Sequence, residues 1–161
     1  MKHSEKDQIK HLKDKTLHRS AGGFLFYRDP RDQVLYVALL EKDEKEGFLI
    51  PKGHIKKTES QEEAALREIK EELSLGVEPR IVSKVGIIQY SFKLDNDTNT
   101  HDKEVHIFVF ELLDMADLRP NRSEGFISAQ WVPLEEALQN MAFDRESLAK
   151  AREEYLKQAN V

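Results

Sequence analysis

The run from Ser60 to Leu75 constrains this chain more than any other stretch, because it reads as a helix whose two faces need different neighbours. Ser60 followed by Glu63 is a capping-box pair, and Thr58 with Gln61 offers a second register, so the helix starts at about residue 60. Leu66, Ile69 and Leu73 recur at i, i+3 and i+7, with Ala65 beside them, and make one face apolar. At roughly 100° per residue, Glu68, Glu71 and Glu72 fall within an arc of about 100° on the other side. The apolar face has to pack against another layer, and the acidic face has to find a counter-charge.

Like charges at i+3 and i+4 cost a helix a few tenths of a kcal/mol per pair. Magnesium can balance them, since it takes carboxylate oxygens while keeping waters and phosphate oxygens in its shell. An isolated Glu-Glu pair would simply decorate a solvated face. Here the acids arrive in company: Gly53, five residues, Glu59, seven residues, then Arg67-Glu68-Ile69-Lys70-Glu71-Glu72. That spacing collects a glycine turn, a helix cap, an arginine and four carboxylates in one segment, which is equipment for holding magnesium against a diphosphate.

A chain of 161 residues, 39% hydrophobic and 34% charged, suits one domain with a proper core. Residues 1–17 are almost wholly polar and read as a charged lead-in, mobile or marginally helical, with a single domain expected over 18–161. No apolar run approaches the roughly 18 residues of a membrane helix, and the charged N-terminus lacks a signal-peptide pattern. A cytoplasmic location without a membrane partner is therefore expected. The absence of cysteine excludes disulfides, thiolate metal sites and cysteine nucleophiles. A net charge of -5 argues against duplex nucleic acid as a partner, there being no overall basic field to capture a phosphate backbone.

Strand signals lie at about 19–27, 34–40 and 47–51, with Asp29-Pro30-Arg31-Asp32 as a turn between the first two. After the helix, 81–90, 104–112 and 126–132 are rich in β-branched and aromatic residues, and two helices follow near 134–141 and 145–158. The polar stretch Lys93 to Lys103 reads as a flexible loop. Strands, helix, strands and helices in that order predict a mixed sheet with helices on its faces, an α+β fold.

The segment Gly53 to Leu75 resembles the Nudix box, in which Gly, five residues, Glu, seven residues and Arg-Glu precede an aliphatic, any residue and Glu-Glu. Gly53, Glu59, Arg67, Glu68, Ile69, Glu71, Glu72 and Leu75 fit it; Ser74 stands where the family has glycine, and Gly76 could serve as the helix stop instead. The resemblance implies an α/β/α sandwich around a central mixed sheet, with the box as a loop-helix-loop metal site. It also implies a Mg2+-dependent pyrophosphohydrolase, with Mn2+ as a possible substitute, acting on a small nucleotide substrate as a monomer or homodimer.

Within that resemblance, Glu68, Glu71 and Glu72 are the expected metal ligands, joined by the Gly53 carbonyl and by Glu124 from a later loop, with Glu104 as the rival for that last place. Glu68 or Glu124 would act as base, Arg67 would hold the glutamates, and Glu59 would support them from behind. Lys52 could reach a phosphate as a point charge, and His54 is a candidate substrate contact. Phe48-Leu49-Ile50-Pro51-Lys52-Gly53-His54, together with Ala21-Gly22-Gly23-Phe24 and the closing helix with Phe143, Leu148, Ala149 and Ala151, is similar to enzymes that cleave dinucleoside polyphosphates or inositol pyrophosphates. The asymmetrical diadenosine tetraphosphatases tend to place a base-stacking tyrosine where this chain has Ile107, so Tyr90, Phe92 or Phe108 is the alternative stacking surface. Nucleotide sugars and RNA 5′ ends are further substrate classes. A non-catalytic nucleotide sensor or a protein-interaction module on the same scaffold is the rival of another kind.

Overall fold

Period-two alternation runs through the central strands, and each strand sends side chains to both faces of one sheet. In the computed structural model, which describes residues 17–43, 46–94, 96, 98–141 and 144–159, β1 (Leu17–Arg28) buries Phe24 and Phe26 on one face and Ala21 and Leu25 on the other. β2 (Leu35–Glu41) likewise separates Val37 and Leu39 from Ala38 and Leu40. β5 (Thr100–Leu112) separates Val105, Ile107 and Val109 from Phe108 and Phe110. With β3 (Lys52–His54), β4 (Arg80–Lys93) and β6 (Ser128–Pro133), these strands form a six-stranded sheet of order β4-β5-β1-β2-β6, in which β3 also pairs with β1. β1 and β5 run parallel while the other pairs are antiparallel, so the sheet is mixed.

Helix α1 (Gln61–Glu72) covers the face carrying Leu25, Leu40, Phe108 and Phe110, using Ala64, Ala65, Ile69 and the following Leu73. Helices α2 (Leu134–Asn140) and α3 (Arg145–Ala159) cover the opposite face through Leu134, Ala137, Leu148, Ala151 and Tyr155. The result is the α/β/α sandwich that the resemblance implies. In α3 Leu148 and Ala151 are buried as expected and Ala149 is exposed; Phe143 and residues 1–16 of the lead-in lie outside the described residues.

One edge of β1 is shared, and this positions the site. Ser20 to Gly22 pair with β3, Phe26 to Arg28 pair with β2, and between them Gly23 N–H donates to the Pro51 carbonyl at 3.1 Å. The third strand therefore does not span Gly47 to Pro51. Leu49 bridges Leu40, Phe48 bridges Met141, and a continuous ladder begins only at Lys52. The chain crosses from one neighbour to another over that stretch, which no run of apolar residues reveals. The expected loop from Lys93 to Lys103 is also shorter than predicted: β4 continues to Lys93 opposite Thr100, leaving only the tip outside the hairpin.

Candidate active site

Helix α1 begins as its capping box requires: the Ser60 hydroxyl accepts from Glu63 N–H, and the Glu63 carboxylate accepts from Ser60 N–H. Its end departs from expectation. Ser74 itself takes the left-handed conformation at φ 52°, its N–H meets the Glu71 carbonyl at 3.3 Å, and Leu75 N–H meets the Lys70 carbonyl at 2.9 Å. This is a Schellman ending with serine in the glycine position. Gly76 is not the stop.

Seating α1 on the sheet brings Glu68 and Glu72 against β3. A Cβ built on Gly53 would lie 2.2 Å from the Glu68 carboxylate, so position 53 has no room for a side chain while Glu68 keeps its place. Lys52 N–H donates to Glu72 Oε2 at 3.0 Å. Glu72 is only 6% exposed. Burial raises its carboxyl to about 8, and the neighbouring Glu68 and Glu124 charges and a hydrogen bond with Glu68 push the same way, against the Lys52 amide. Glu71 differs from its neighbours: its side chain is half exposed at the rim, 3.4 Å from Arg67 Nη1.

Arg67 ties the segment together. Its guanidinium donates to both Glu59 oxygens at 2.6 and 2.9 Å, to Glu68 Oε1 at 2.7 Å and to the His54 carbonyl at 2.9 Å. The bidentate bond from Arg67 holds the Glu59 carboxyl down to about 2 despite partial burial, helped by Lys56 N–H at 2.8 Å. In return, Glu59 and Glu68 hold the Arg67 guanidinium well above its ordinary range, against its burial.

Glu124 comes to the cluster by way of main-chain bonds. Arg119 N–H donates to the Leu73 carbonyl at 3.0 Å and Asn121 N–H to the Glu72 carbonyl at 3.2 Å, so the loop caps the end of α1. A 3-10 turn from Arg122 to Glu124, capped by the Asn121 side chain and closed by Gly125 at φ 89°, then carries Glu124 close enough for its charge to act on Glu72. Glu104 goes elsewhere, facing Arg19 at 3.8 Å and His106 Nε2 at 3.5 Å.

Lys52 and Tyr90 line one cavity of about 440 Å3 with Ile88 and Asp144, and Lys52 Nζ sits 5.9 Å from the Tyr90 ring centre. His54 turns its ring toward His18, 5.9 Å away. Of the other aromatics considered for stacking, Phe108 is buried under α1, and Ile107 lies in the core on the far side of the sheet. The sequence reading missed His18, His101 and Asp144. The hydrogen-bonded histidines lie 83 residues apart and only the β1–β5 and β4–β5 registers unite them with Tyr90 and Phe92.

The donor set suits a hard cation: only carboxylates and a backbone segment converge, Glu72 is buried beside other acids, and the glycine cradle keeps Glu68 close. Among the described residues, no group of three or more acid or histidine side chains stands in an arrangement that could hold a metal ion; any magnesium here would have to take the rest of its shell from water and phosphate oxygens.

The NUDIX domain family model matches residues 16–152. MutT4 of Mycobacterium tuberculosis is 31% identical over 151 residues, covering 88% of this chain and 57% of its own length. Nudix hydrolase 4 of Arabidopsis thaliana is 36% identical over 105 residues, covering 65% of this chain and 47% of its own. The chain thus spans about half the length of these curated relatives. Among solved structures, a binary complex of the C. elegans Ap4A hydrolase superimposes with a TM-score of 0.65 at 19% identity, covering 89% of this chain and 99% of that one. The NUDIX domain of Shewanella oneidensis NrtR, crystallised with ADP ribose, superimposes with a TM-score of 0.62 at 22% identity, covering 87% and 88%. With box, sandwich and family model in agreement over most of its length, the chain belongs to the Nudix family.

Proposed function

We propose that this protein is a Mg2+-dependent pyrophosphohydrolase that cleaves a nucleoside diphosphate linked to another moiety, with dinucleoside polyphosphates such as diadenosine tetraphosphate as its first substrate class. The observation that carries the reading is Glu72: a buried carboxyl set beside Glu68, against the Lys52 amide and within the field of Glu124. A fold tolerates such a group when function needs it, because unpaired buried charge is costly.

Glu68, Glu72 and Glu124 would hold magnesium, with Glu71 at the rim and the Gly53 carbonyl alongside, and manganese could stand in. When bound, the metal neutralises charge on phosphate oxygens and eases loss of a proton from water. The chain's own residues do the rest. Lys52 Nζ pairs with a phosphate oxygen and orients the diphosphate. Arg67 fixes Glu68 and Glu59, and through the His54 carbonyl it fixes β3, so the reacting groups lose little freedom on binding. Water oxygen attacks phosphorus, the bridging P–O bond breaks, and its electron pair leaves with the departing phosphate. The water's proton passes to Glu124, since Glu68 is already engaged by Arg67. Tyr90 offers an exposed ring for a base.

A Mg2+-dependent phosphate-release panel tests this, covering dinucleoside polyphosphates, nucleotide sugars, dinucleotide cofactors, oxidised nucleoside triphosphates, RNA 5′ ends and inositol pyrophosphates. Turnover should be greatest on diadenosine tetraphosphate. It should fall at least about 100-fold in Glu72→Gln; near-native turnover in both Glu71→Gln and Glu72→Gln refutes the metal-cluster reading.

A further inference from the structure

Beyond the acidic cluster, basic and aromatic side chains continue outward from His54 along the sheet face that bears Tyr90. His18 Nε2 and His101 Nδ1 lie 2.9 Å apart, and Phe92 packs on both rings at centroid distances of 5.3 and 5.5 Å. His101 is buried, so this pair is held by the fold rather than by solvent. Lys103 Nζ sits 5.8 Å from the Tyr90 ring centre, and Lys52 Nζ lies 5.9 Å from the same ring. The strand register adds Ser20, opposite both His54 and Val105; the buried Ser20 hydroxyl has no hydrogen-bond partner among the described residues. Asp144 borders the Lys52 end of this surface.

These groups oppose one another electrostatically. Burial lowers the His18 imidazole, and the charges of His101, His54 and Lys103 lower it further. His18, His54, Lys103 and Tyr90 stand at matching register positions on one face of the sheet, next to a site for a diphosphate, and such a face suits an extended anion that can accept several hydrogen bonds at once. We propose that His18, held by His101 against Phe92, and Lys103 bind the phosphates that a substrate carries beyond the diphosphate being cleaved. The inference rests on the pyrophosphohydrolase reading of the acidic cluster and narrows its substrate to molecules with a longer phosphate chain or a multiply phosphorylated leaving side. A neutral sugar in that position leaves His18 and Lys103 without a partner.

Titration calorimetry of the full chain with Mg2+ should show inorganic tripolyphosphate binding about tenfold more tightly than pyrophosphate. His18→Gln and Lys103→Gln, on separate strands, should each reduce that preference to about twofold. Equal affinity for the two anions in the parent, or equal weakening of both in the two variants, overturns the inference. Two organic substrates distinguish the sources of the extra phosphates. The ratio of kcat/KM for diadenosine tetraphosphate, and for a diphosphoinositol polyphosphate, to that for ADP-ribose is compared between parent and His18→Gln. A fall of about tenfold in one ratio identifies the leaving side that the cluster serves, and a fall in neither overturns the inference. A parent that prefers tripolyphosphate but hydrolyses no substrate in the panel refutes the catalytic reading while leaving phosphate recognition by His18 and Lys103 standing.

Discussion

Lys52 and Glu72 are joined through one main-chain bond, the Lys52 amide donating to Glu72 Oε2 at 3.0 Å. It fastens the last turn of α1 to the strand carrying Gly53 and His54, twenty residues earlier. The same bond leaves Glu72 buried among acids, so its position is set by the fold and its charge is balanced only in part.

Stability and turnover should accordingly separate at this residue. Glutamine keeps an oxygen for the Lys52 amide and removes a carboxyl that folding has to protonate, since burial among acids holds it at about 8. Metal-free Glu72→Gln should melt a few degrees above the parent, a change on the order of 1 kcal/mol, in differential scanning fluorimetry. Its turnover should nevertheless fall as stated above.

Gly53 has a steric role that alanine cannot fill. The added Cβ would meet the Glu68 carboxylate at 2.2 Å and push it from its place. Gly53→Ala should lose at least about tenfold in kcat, a transition-state loss of about 1.4 kcal/mol, and the Mg2+ concentration needed for half-maximal rate should rise. Steady-state kinetics across Mg2+ concentrations reads both.

Acid stability should report the Arg67–Glu59 pair. The folded-state carboxyl of Glu59 is held at about 2 against an ordinary 4.5, so its stabilising contribution is present above 4.5 and is lost as pH falls toward 2. Thermal melts between pH 6 and 2.5 should show a steeper decline in the parent than in Glu59→Gln across that window.

Serine at the end of α1 carries the cost of a left-handed backbone. Ser74→Gly should stabilise the protein by up to about 1 kcal/mol in urea unfolding, and Gly76→Ala, whose Cβ would meet nothing within 4 Å, should change little.

Glu124 and Glu104 give the sharpest contrast between two candidate acids. Glu124→Gln should lower kcat by about 10²-fold or more. Glu104→Gln, which only loosens contacts with Arg19 and His106, should stay within about threefold of the parent. Side-by-side kcat measurements decide which acid the reaction uses.

The helix and its inward acids were legible because capping, apolar period and charge all lie within one local segment. Ser60, Glu63 and Ile69 fix a phase, and the phase puts Glu68 and Glu72 where the sheet can meet them. It could not separate Glu71 from them: the difference lies in which side β3 occupies, and β3 is a tertiary partner. The offset of β3 from Gly47–Pro51 to Lys52–His54 has the same origin, as the apolar residues Phe48 and Leu49 bridge two other elements before the ladder begins. Glu124 was readable from its place in a loop, while the tether that delivers it depends on carbonyls of α1. His18 and His101 gave no local signal, since they lie 83 residues apart on different strands and meet only through long-range register.

The amides of Arg119 and Asn121, fixed to the carbonyls of Leu73 and Glu72, also limit how the protein can open. Glu124 follows three residues after a peptide clamped to the backbone of Glu72 itself, so that loop cannot swing aside as a door without unwinding the last turn of α1. Motion of Glu124 is therefore tied to fraying of the helix end that carries Glu72, so the two acids move together or not at all.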